Sequence, residues 1–325
     1  MSWETTLSWE DAKMKASILN QIRQFFFNRN VVEVETPLLG SSTVTDVHLE
    51  AFETLFNYFP SSSVDFSDSL YLQTSPEFCM KRLLASGYES IYQICKAFRH
   101  EGKGRIHNPE FTILEWYRVG FDQRDLIEEV SCLLKDVLNC SEPKIISYQD
   151  LFTKHLNIDP LETSIEELKN IIDINGISDD WIIEEKNIDI LLQFVLSELI
   201  EPNIGHDEPV FIYNFPISQA SLAKQNVDDS RVADRFECYF KGIELVNGFC
   251  ELTDHIEQQD RFNKDNLERK QIGRKEKQID TRFIDALKSG IPSCSGVALG
   301  IDRLLMLALN KEQIDEVITF TIDRA

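Results

Sequence analysis

A chain of 325 residues, 42% hydrophobic, 10% aromatic and 27% charged, can bury a sizeable core in one large domain with an insertion or in two domains. That composition excludes a disordered or fibrous protein. Fifty-five acidic against 33 basic side chains leave a formal charge of −22, which works against a long grip on nucleic acid, since displacing counterions needs a basic face. Seven scattered cysteines, odd in number and without a C-x-x-C pair, argue against a disulfide framework or a zinc site. No stretch approaches the roughly 18 apolar residues of a membrane span, and MSWETTLSWEDAKMK has no signal-like run. The expected location is the cytoplasm, away from membranes.

Taken in chain order, Met14, Ile18, Ile22, Phe25 and Phe26 fall on one helical face, with Asn30 placed for a left-handed cap. VVEVETPLL over 31–39 predicts a strand that stops bonding at Pro37. Residues 47–56 alternate like another strand, followed by a Ser/Asp-rich loop through Ser69 and the short strand LYLQT. Ser75 is a suitable N-cap for a helix from Pro76 that Gly87 closes. Glu77, in its first turn, either complements the helix dipole or takes a substrate amine.

The stretch RHEGKGRIHNPEF, residues 99–111, has apolar strand patterns running in (Ile91, Ile94, Ala97, Phe98) and out (Phe111, Ile113, Leu114, Trp116). It predicts a hairpin whose tip suits an anion held by mobile cationic groups rather than a tight two-residue turn. Arg99 offers a planar fork for phosphate, with Lys103, Arg105 and His107 near it; a solvated charged hairpin is the alternative.

A long amphipathic helix over 126–138 follows, and 140–206 reads as an acidic, mostly helical insertion with segments at 148–155, 165–175 and 189–201. Strand character returns at PVFIYNFP and in RFECYFKGIELVNGFCELTD. There Glu237, Glu244 and Glu251 recur every seven residues, an odd spacing that alternates faces in extended chain. Glu244 and Glu251 then share a site only if Asn247-Gly248 turns the chain. Carboxylates so gathered beside a triphosphate suit Mg²⁺; otherwise they are exposed strand residues. Residues 253–272 read as a polar surface helix, with the basic run Arg269, Lys270, Arg274, Lys275 and Lys277 solvating its end. Finally SGVALGIDRLLMLAL passes from small residues to a helix, with Gly296 and Gly300 permitting close approach and Asp302 and Arg303 at the helix start.

Together, the strand ending at Pro37, FRHEGKGRIHNPEF and GVALGIDRL resemble motifs 1, 2 and 3 of class II aminoacyl-tRNA synthetases, in order. TSPE at 74–77, ILEWY at 113–117 and ELVNGFCELTD at 244–254 are similar to the lysyl-tRNA synthetase branch. The likeness begins near Lys13, leaving no room for an anticodon-binding domain. It is nearer still to the elongation factor P–lysine ligase family, which PNIG, FPISQASLA and EVITFTIDRA also resemble.

The resemblance implies an α+β class II catalytic domain over the whole chain, an antiparallel sheet of six or seven strands flanked by helices, and a homodimer formed through the motif 1 strand. It implies activation of (R)-β-lysine, or lysine, by ATP and Mg²⁺ as an adenylate, and transfer to one lysine of elongation factor P, with no stable nucleic-acid binding. It also assigns roles. Arg99 holds the α-phosphate; His100, Glu101 and Asn108 place adenosine and triphosphate; His107 takes the γ-phosphate. Phe111 and Arg303 sandwich the adenine, with Leu245 and Gly300 beside the nucleotide, and Glu237 and Glu244 hold Mg²⁺. Ser75, Pro76 and Glu77 receive the nearer amino group, and Glu115, Tyr117 and Glu251 the distal ammonium.

Two positions are telling. The class pattern reads Arg-Asn-Glu where this chain has Arg99-His100-Glu101, a bulkier donor that also titrates. Lysyl-tRNA synthetases carry glycine, and the ligases alanine, at Ala298; a methyl group there is worth roughly 1 to 3 kcal/mol of discrimination. The rival readings are a truncated lysyl-tRNA synthetase that charges tRNA and a non-catalytic paralogue that binds ATP or lysine and regulates a partner.

Overall fold

The computed structural model of the protein describes residues 3–57 and 67–325. Most of the Ser/Asp-rich loop expected before Ser69 therefore lies outside the described residues. Helix α1 (Trp9–Phe27) starts where the Ser8 hydroxyl accepts from the Asp11 N–H, and it buries Ile18, Ile22, Phe25 and Phe26 as the stripe predicts. Met14, a turn earlier, is exposed. Asn30 takes the expected left-handed conformation, φ 56°.

Strands β1 (Val32–Glu33) and β2 (Leu39–Gly40) replace the single strand expected over 31–39. Pro37, with no N–H to offer a ladder, lies in the break between them. Strands β3 (Glu53–Asn57) and β4 (Ser67–Leu72) follow, and β4 pairs with both β2 and β3, antiparallel in each case. The strand expected from residue 47 is real only near its end. Upstream of it, the carbonyls of Asp46 and Val47 accept from Arg269 and Arg274, and the Glu50 carboxylate takes Arg269 and Lys277, so the backbone is spent on distant side chains.

Helix α2 (Glu77–Ala85) is closed past its end by Gly87, φ 94°. Strands β5 (Ile91–Phe98) and β6 (Glu110–Val119) form the predicted hairpin, with Phe98 opposite Glu110. Helix α3 (Gln123–Leu138) opens on a capping box at Asp122 and ends at left-handed Asn139. Next come β7 (Lys144–Ser147), α4 (Tyr148–Leu156), α5 (Ile165–Ile174), α6 (Asp180–Glu184) and α7 (Ile188–Val195), then β8 (Val210–Pro216). The helix expected over 189–201 keeps α geometry only to Val195 and widens into a π turn over Leu196–Ile200 ahead of Pro202. Strands β9 (Val232–Phe240) and β10 (Ile243–Cys250), helices α8 (His255–Gln271) and α9 (Thr281–Ser289), strand β11 (Cys294–Gly300) and helix α10 (Ile301–Ala308) complete the order.

The chain divides into two compact units, Met1–Gly120 with Thr253–Ala325, and Phe121–Leu252. In the first, β1 pairs parallel with β5, and β5, β6 and β11 pair antiparallel in turn. One face of β5 and β6 meets α1: Phe26 stacks on Tyr92 at 4.4 Å and meets the edge of Trp116 at 5.3 Å. Full burial of such side chains contributes about 1.5 to 3 kcal/mol each, so this face fixes the hairpin and frees the other for chemistry. Helix α8 is exposed or half-buried along most of its length, as a polar surface helix should be. It buries Phe262 between Phe78 and Phe283, and Arg269 is wholly enclosed, so the basic run that seemed destined for solvent partly braces the interior.

In the second unit β7 pairs parallel with β8, and β8, β9 and β10 pair antiparallel. Tyr148, Phe152, Leu168, Leu191, Leu192, Val195 and Phe215 pack into its core. The expected α+β class, with an antiparallel core and flanking helices, is thus observed, and the parallel pairs β1–β5 and β7–β8 are its departures. Strands β9 and β10 turn at Lys241–Gly242, whose φ angles of 51° and 70° suit a tight hairpin loop.

Candidate active site

Side chains opposite one another in register share a face of a sheet. Phe111, Ile113, Glu115 and Tyr117 of β6 therefore line up with Gly300, Ala298 and Gly296 of β11 on one side and with Ala97, Cys95, Gln93 and Ile91 of β5 on the other. The small β11 residues leave room above the strand. Glu115, directly across from Ala298, is 3% exposed and accepts from the hydroxyls of Ser75 and Tyr117, both at 2.7 Å. Burial, then the Glu77 carboxylate, pushes its pKa up to about 7 against the pull of Ser75, Tyr117 and Lys81. Burial and then Glu115 push the Cys95 thiol up to about 12, so that thiol is inert.

Glu77 opens α2. The N-cap residue is Pro76 rather than Ser75, yet the Ser75 hydroxyl still accepts from the Glu77 N–H at 3.1 Å while donating to Glu115. Ser75 thus joins helix start and strand. Glu77 pairs with Lys81 at 2.7 Å.

At the hairpin tip the sequence reading needs correcting, because a tight turn is present. Gly104 and His107 exchange backbone hydrogen bonds of 3.0 and 3.4 Å around Arg105–Ile106. The cations are held rather than mobile. Lys103 donates to Asp315 and Asp323, each at 2.9 Å, Arg105 to the Glu312 carbonyl, and the Arg105 carbonyl accepts from Ile314. Asn108 accepts from the Ile322 N–H at 3.1 Å.

Arg99 lies with its guanidinium carbon 5.2 Å from the Phe111 ring centre. Its Nε is buried and has no hydrogen-bond partner among the described residues. A buried guanidinium donor without an acceptor is costly, which fits an anion such as a phosphate being its partner in use. The His100 N–H donates to the Glu50 carbonyl at 2.8 Å and its ring meets Phe52 edge-on at 5.0 Å, so the unusual histidine is seated against the 46–52 segment. Glu101, next along, is exposed.

Gly300 is the N-cap of α10, and an added Cβ there would touch the Arg303 side chain at 3.5 Å. Arg303 Nη2 lies 2.8 Å from His107 Nε2, where the guanidinium donates and a neutral imidazole accepts. The adjacent Asp302, buried, accepts from the Thr112 N–H at 2.7 Å and from Lys15, tying α10 to β6.

Glu237, Glu244, Leu245 and Glu251 belong to the second unit. The expected turn at Asn247-Gly248 does not form; β10 runs straight through, with Asn247 opposite Glu237. A bulge between Glu244 and Val246 does the work instead. One extra residue reverses the alternation, so Glu244, Asn247, Phe249 and Glu251 come to one face despite the odd spacing. Glu237 accepts from Arg235 and from the Tyr239 hydroxyl, both at 2.5 Å. Burial raises its pKa, opposed first by Arg235, while Glu244 raises it further. Glu201, which sequence reasoning passed over, is pushed up to about 7 by burial, then by Glu237 and Glu244. Nothing in the helical periodicity around it signals that role.

Among the described residues no group of three His, Cys, Asp or Glu side chains is arranged to hold a metal. Glu237 and Glu244 are two oxygen-bearing side chains, the sparse protein ligation Mg²⁺ accepts when phosphates and water supply the rest. No helix among the described residues is long and apolar enough to cross a membrane.

Residues 5–324 match the tRNA synthetases of class II (D, K and N), and the chain belongs to that family. It is 50% identical over 327 residues, spanning 100% of this chain and 98% of each relative, to proteins of Hamiltonella defensa, an Enterobacter species and Salmonella arizonae. Each of those relatives is named elongation factor P--(R)-beta-lysine ligase.

Proposed function

We propose that this protein is a ligase that activates (R)-β-lysine, or lysine, with ATP and transfers the acyl group to the ε-amino group of a lysine on elongation factor P. The observation that carries the reading is the row along β6. Phe111 and Arg99 stand at one end, Glu115 and Tyr117 at the other, and six residues of strand, about 20 Å, separate Phe111 from Tyr117.

Adenine lies between Phe111 and Arg303, whose guanidinium leaves His107 to do so. His107 then takes the γ-phosphate, and Glu101, Asn108, His100, Leu245 and Gly300 complete the nucleotide site. The substrate's amino groups are taken by Ser75, Pro76 and Glu77 and by Glu115, Tyr117 and Glu251, which turns its carboxylate toward the α-phosphate. That carboxylate oxygen attacks the α-phosphorus, the bond to the bridging oxygen breaks, and pyrophosphate departs. Arg99 stabilises the charge developing on the α-phosphate oxygens. Bound Mg²⁺, held by Glu244 with Glu237, supplies charge neutralisation on the phosphates. The acceptor amine then attacks the acyl carbon, and AMP leaves as the amide forms. No protein nucleophile is needed, because alignment supplies most of the acceleration.

The reading includes a homodimer. Trp9 and Phe27 on α1, Val32 on β1 and Leu39 on β2 are large apolar side chains left exposed around the motif 1 strand, as a second copy of the chain would require. A cytoplasmic location and the absence of stable nucleic-acid binding accord with the charge of −22.

The test is intact-mass analysis of elongation factor P after incubation with the protein, ATP, Mg²⁺ and each lysine isomer in turn. A gain of one lysyl residue, largest with the (R)-β isomer, is expected. No gain with any isomer refutes the proposal, and charging of lysine tRNA in its place favours the truncated synthetase.

A further inference from the structure

Among the buried charges that the activation scheme leaves without a task, Lys81 lies against Glu77. Lys81 sits on α2 one turn after Glu77, 1% exposed, with its ammonium 2.7 Å from a Glu77 oxygen and 5.7 Å from the Phe283 ring centre. Phe78, stacked on Phe283 at 4.5 Å, lies on the same helix. An ammonium in such surroundings is expensive, and a buried ion pair commonly stabilises a fold less than an apolar pair of the same shape. An apolar pair in place of both Glu77 and Lys81 would serve the fold as well, so stability alone does not account for the lysine.

The groups around it do. Glu77 shares α2 with Lys81, Ser75 precedes that helix, Glu115 and Tyr117 come from β6 and Cys95 from β5. Two carboxylates gathered out of water resist carrying charge together. Glu115 is already held high by burial and by Glu77, and Lys81 acts in the opposite sense.

We propose that Lys81 is a positioning residue of the amino-acid pocket: it clamps one oxygen of Glu77, so that the other is offered to the substrate, and it offsets part of the repulsion between Glu77 and Glu115. With Lys81 in place the floor is less negative than its carboxylates alone would make it, and Glu77 presents a fixed oxygen to the ammonium of an incoming amino acid. This rests on the reading that the pocket takes a lysine.

The experiment is ATP–pyrophosphate exchange on the full chain, with amino-acid and ATP concentrations varied separately across pH, for wild type, Lys81→Met and Lys81→Arg. For Lys81→Met the amino-acid KM is expected to rise about tenfold or more with the ATP KM unchanged. The acid limb of kcat/KM for the amino acid moves to higher pH, since the influence that lowers Glu115 is gone. Lys81→Arg restores the limb while its larger head group leaves KM raised.

Wild-type KM and limb in folded Lys81→Met overturn the proposal. So does a parallel rise of both KM values with a lowered melting temperature, the mark of a merely structural residue. Should Lys81→Met not fold, Lys81→Arg decides alone, and an unchanged amino-acid KM overturns it. Wild-type protein silent with every isomer instead fails the functional reading, and the clamp with it.

Discussion

Glu115→Gln removes one wholly buried charge while keeping its shape, and the two hydroxyls that now donate to it remain usable. One keeps a carbonyl oxygen to donate to, and the other turns to accept from the new amide. The carboxyl moves from 4.5 to about 7 on folding, so between those values the native protein binds more protons than the unfolded chain. The group's contribution to stability therefore falls as pH rises through that window and is level outside it. A displacement of roughly 2.5 units corresponds to about 3 kcal/mol. Glu115→Gln should accordingly gain about 3 kcal/mol on wild type between about pH 4.5 and about pH 8. Glu201 and Glu237 are also raised and cancel in the difference, because both proteins keep them. Urea unfolding followed by the fluorescence of Trp3, Trp9 and Trp116, in a Trp181→Phe background that silences the second unit's tryptophan, reads the relevant unit. An equal difference at both pH values would show that Glu115 is not held high, and the argument for a charge-strained pocket would fall. The same variant is expected to lose lysine-dependent exchange at every pH, since an amide cannot balance an ammonium.

Arg303→Ala is expected to abolish exchange while leaving the melting temperature near wild type, because the side chain is half-buried, its Nη2 facing a histidine ring and its Nε a carbonyl 3.5 Å away; full activity would refute its place against adenine. Lys103→Met should raise the ATP KM several-fold and spare the amino-acid KM, as the loop between β5 and β6 loses its two carboxylate anchors. The melting temperature should move by no more than about 2 °C, because the pair is exposed. Equal ATP KM values for variant and wild type would show that these anchors do not shape the nucleotide site.

What could be read from the sequence followed from local physics. The β5–β6 hairpin announces itself because its strands are apolar on the α1 side and end in Gly and Pro, and Asn30, Asn139 and Gly87 sit where left-handed backbone is needed. Ser75, Glu77, Glu115 and Tyr117 were found through the family pattern, and the hydrogen bonds among them are local to one unit. The failures are non-local or ambiguous. Residues 47–52 alternate like a strand, yet the carbonyls of Asp46 and Val47 at their start are claimed by arginines 223 and 227 positions away. Asn247-Gly248 has turn chemistry, but Lys241-Gly242 takes the turn, and only the register reveals the bulge that gathers Glu244 and Glu251. Buried Lys81 and half-buried Glu201 carry no signal in the sequence, since burial leaves no trace in residue identity.

The fastening of the hairpin tip to residues 312–323 has a kinetic consequence. Lys103, Arg105 and Asn108 each grip that segment, through Asp315 and Asp323, through the main chain of Glu312 and Ile314, and through Ile322. The tip and the segment therefore open as one cooperative body, and the amides of Ile314 and Ile322 should exchange with solvent hydrogen at a common rate. The rate at which the hairpin tip opens is therefore set by residues that lie 207 to 220 positions further along the chain.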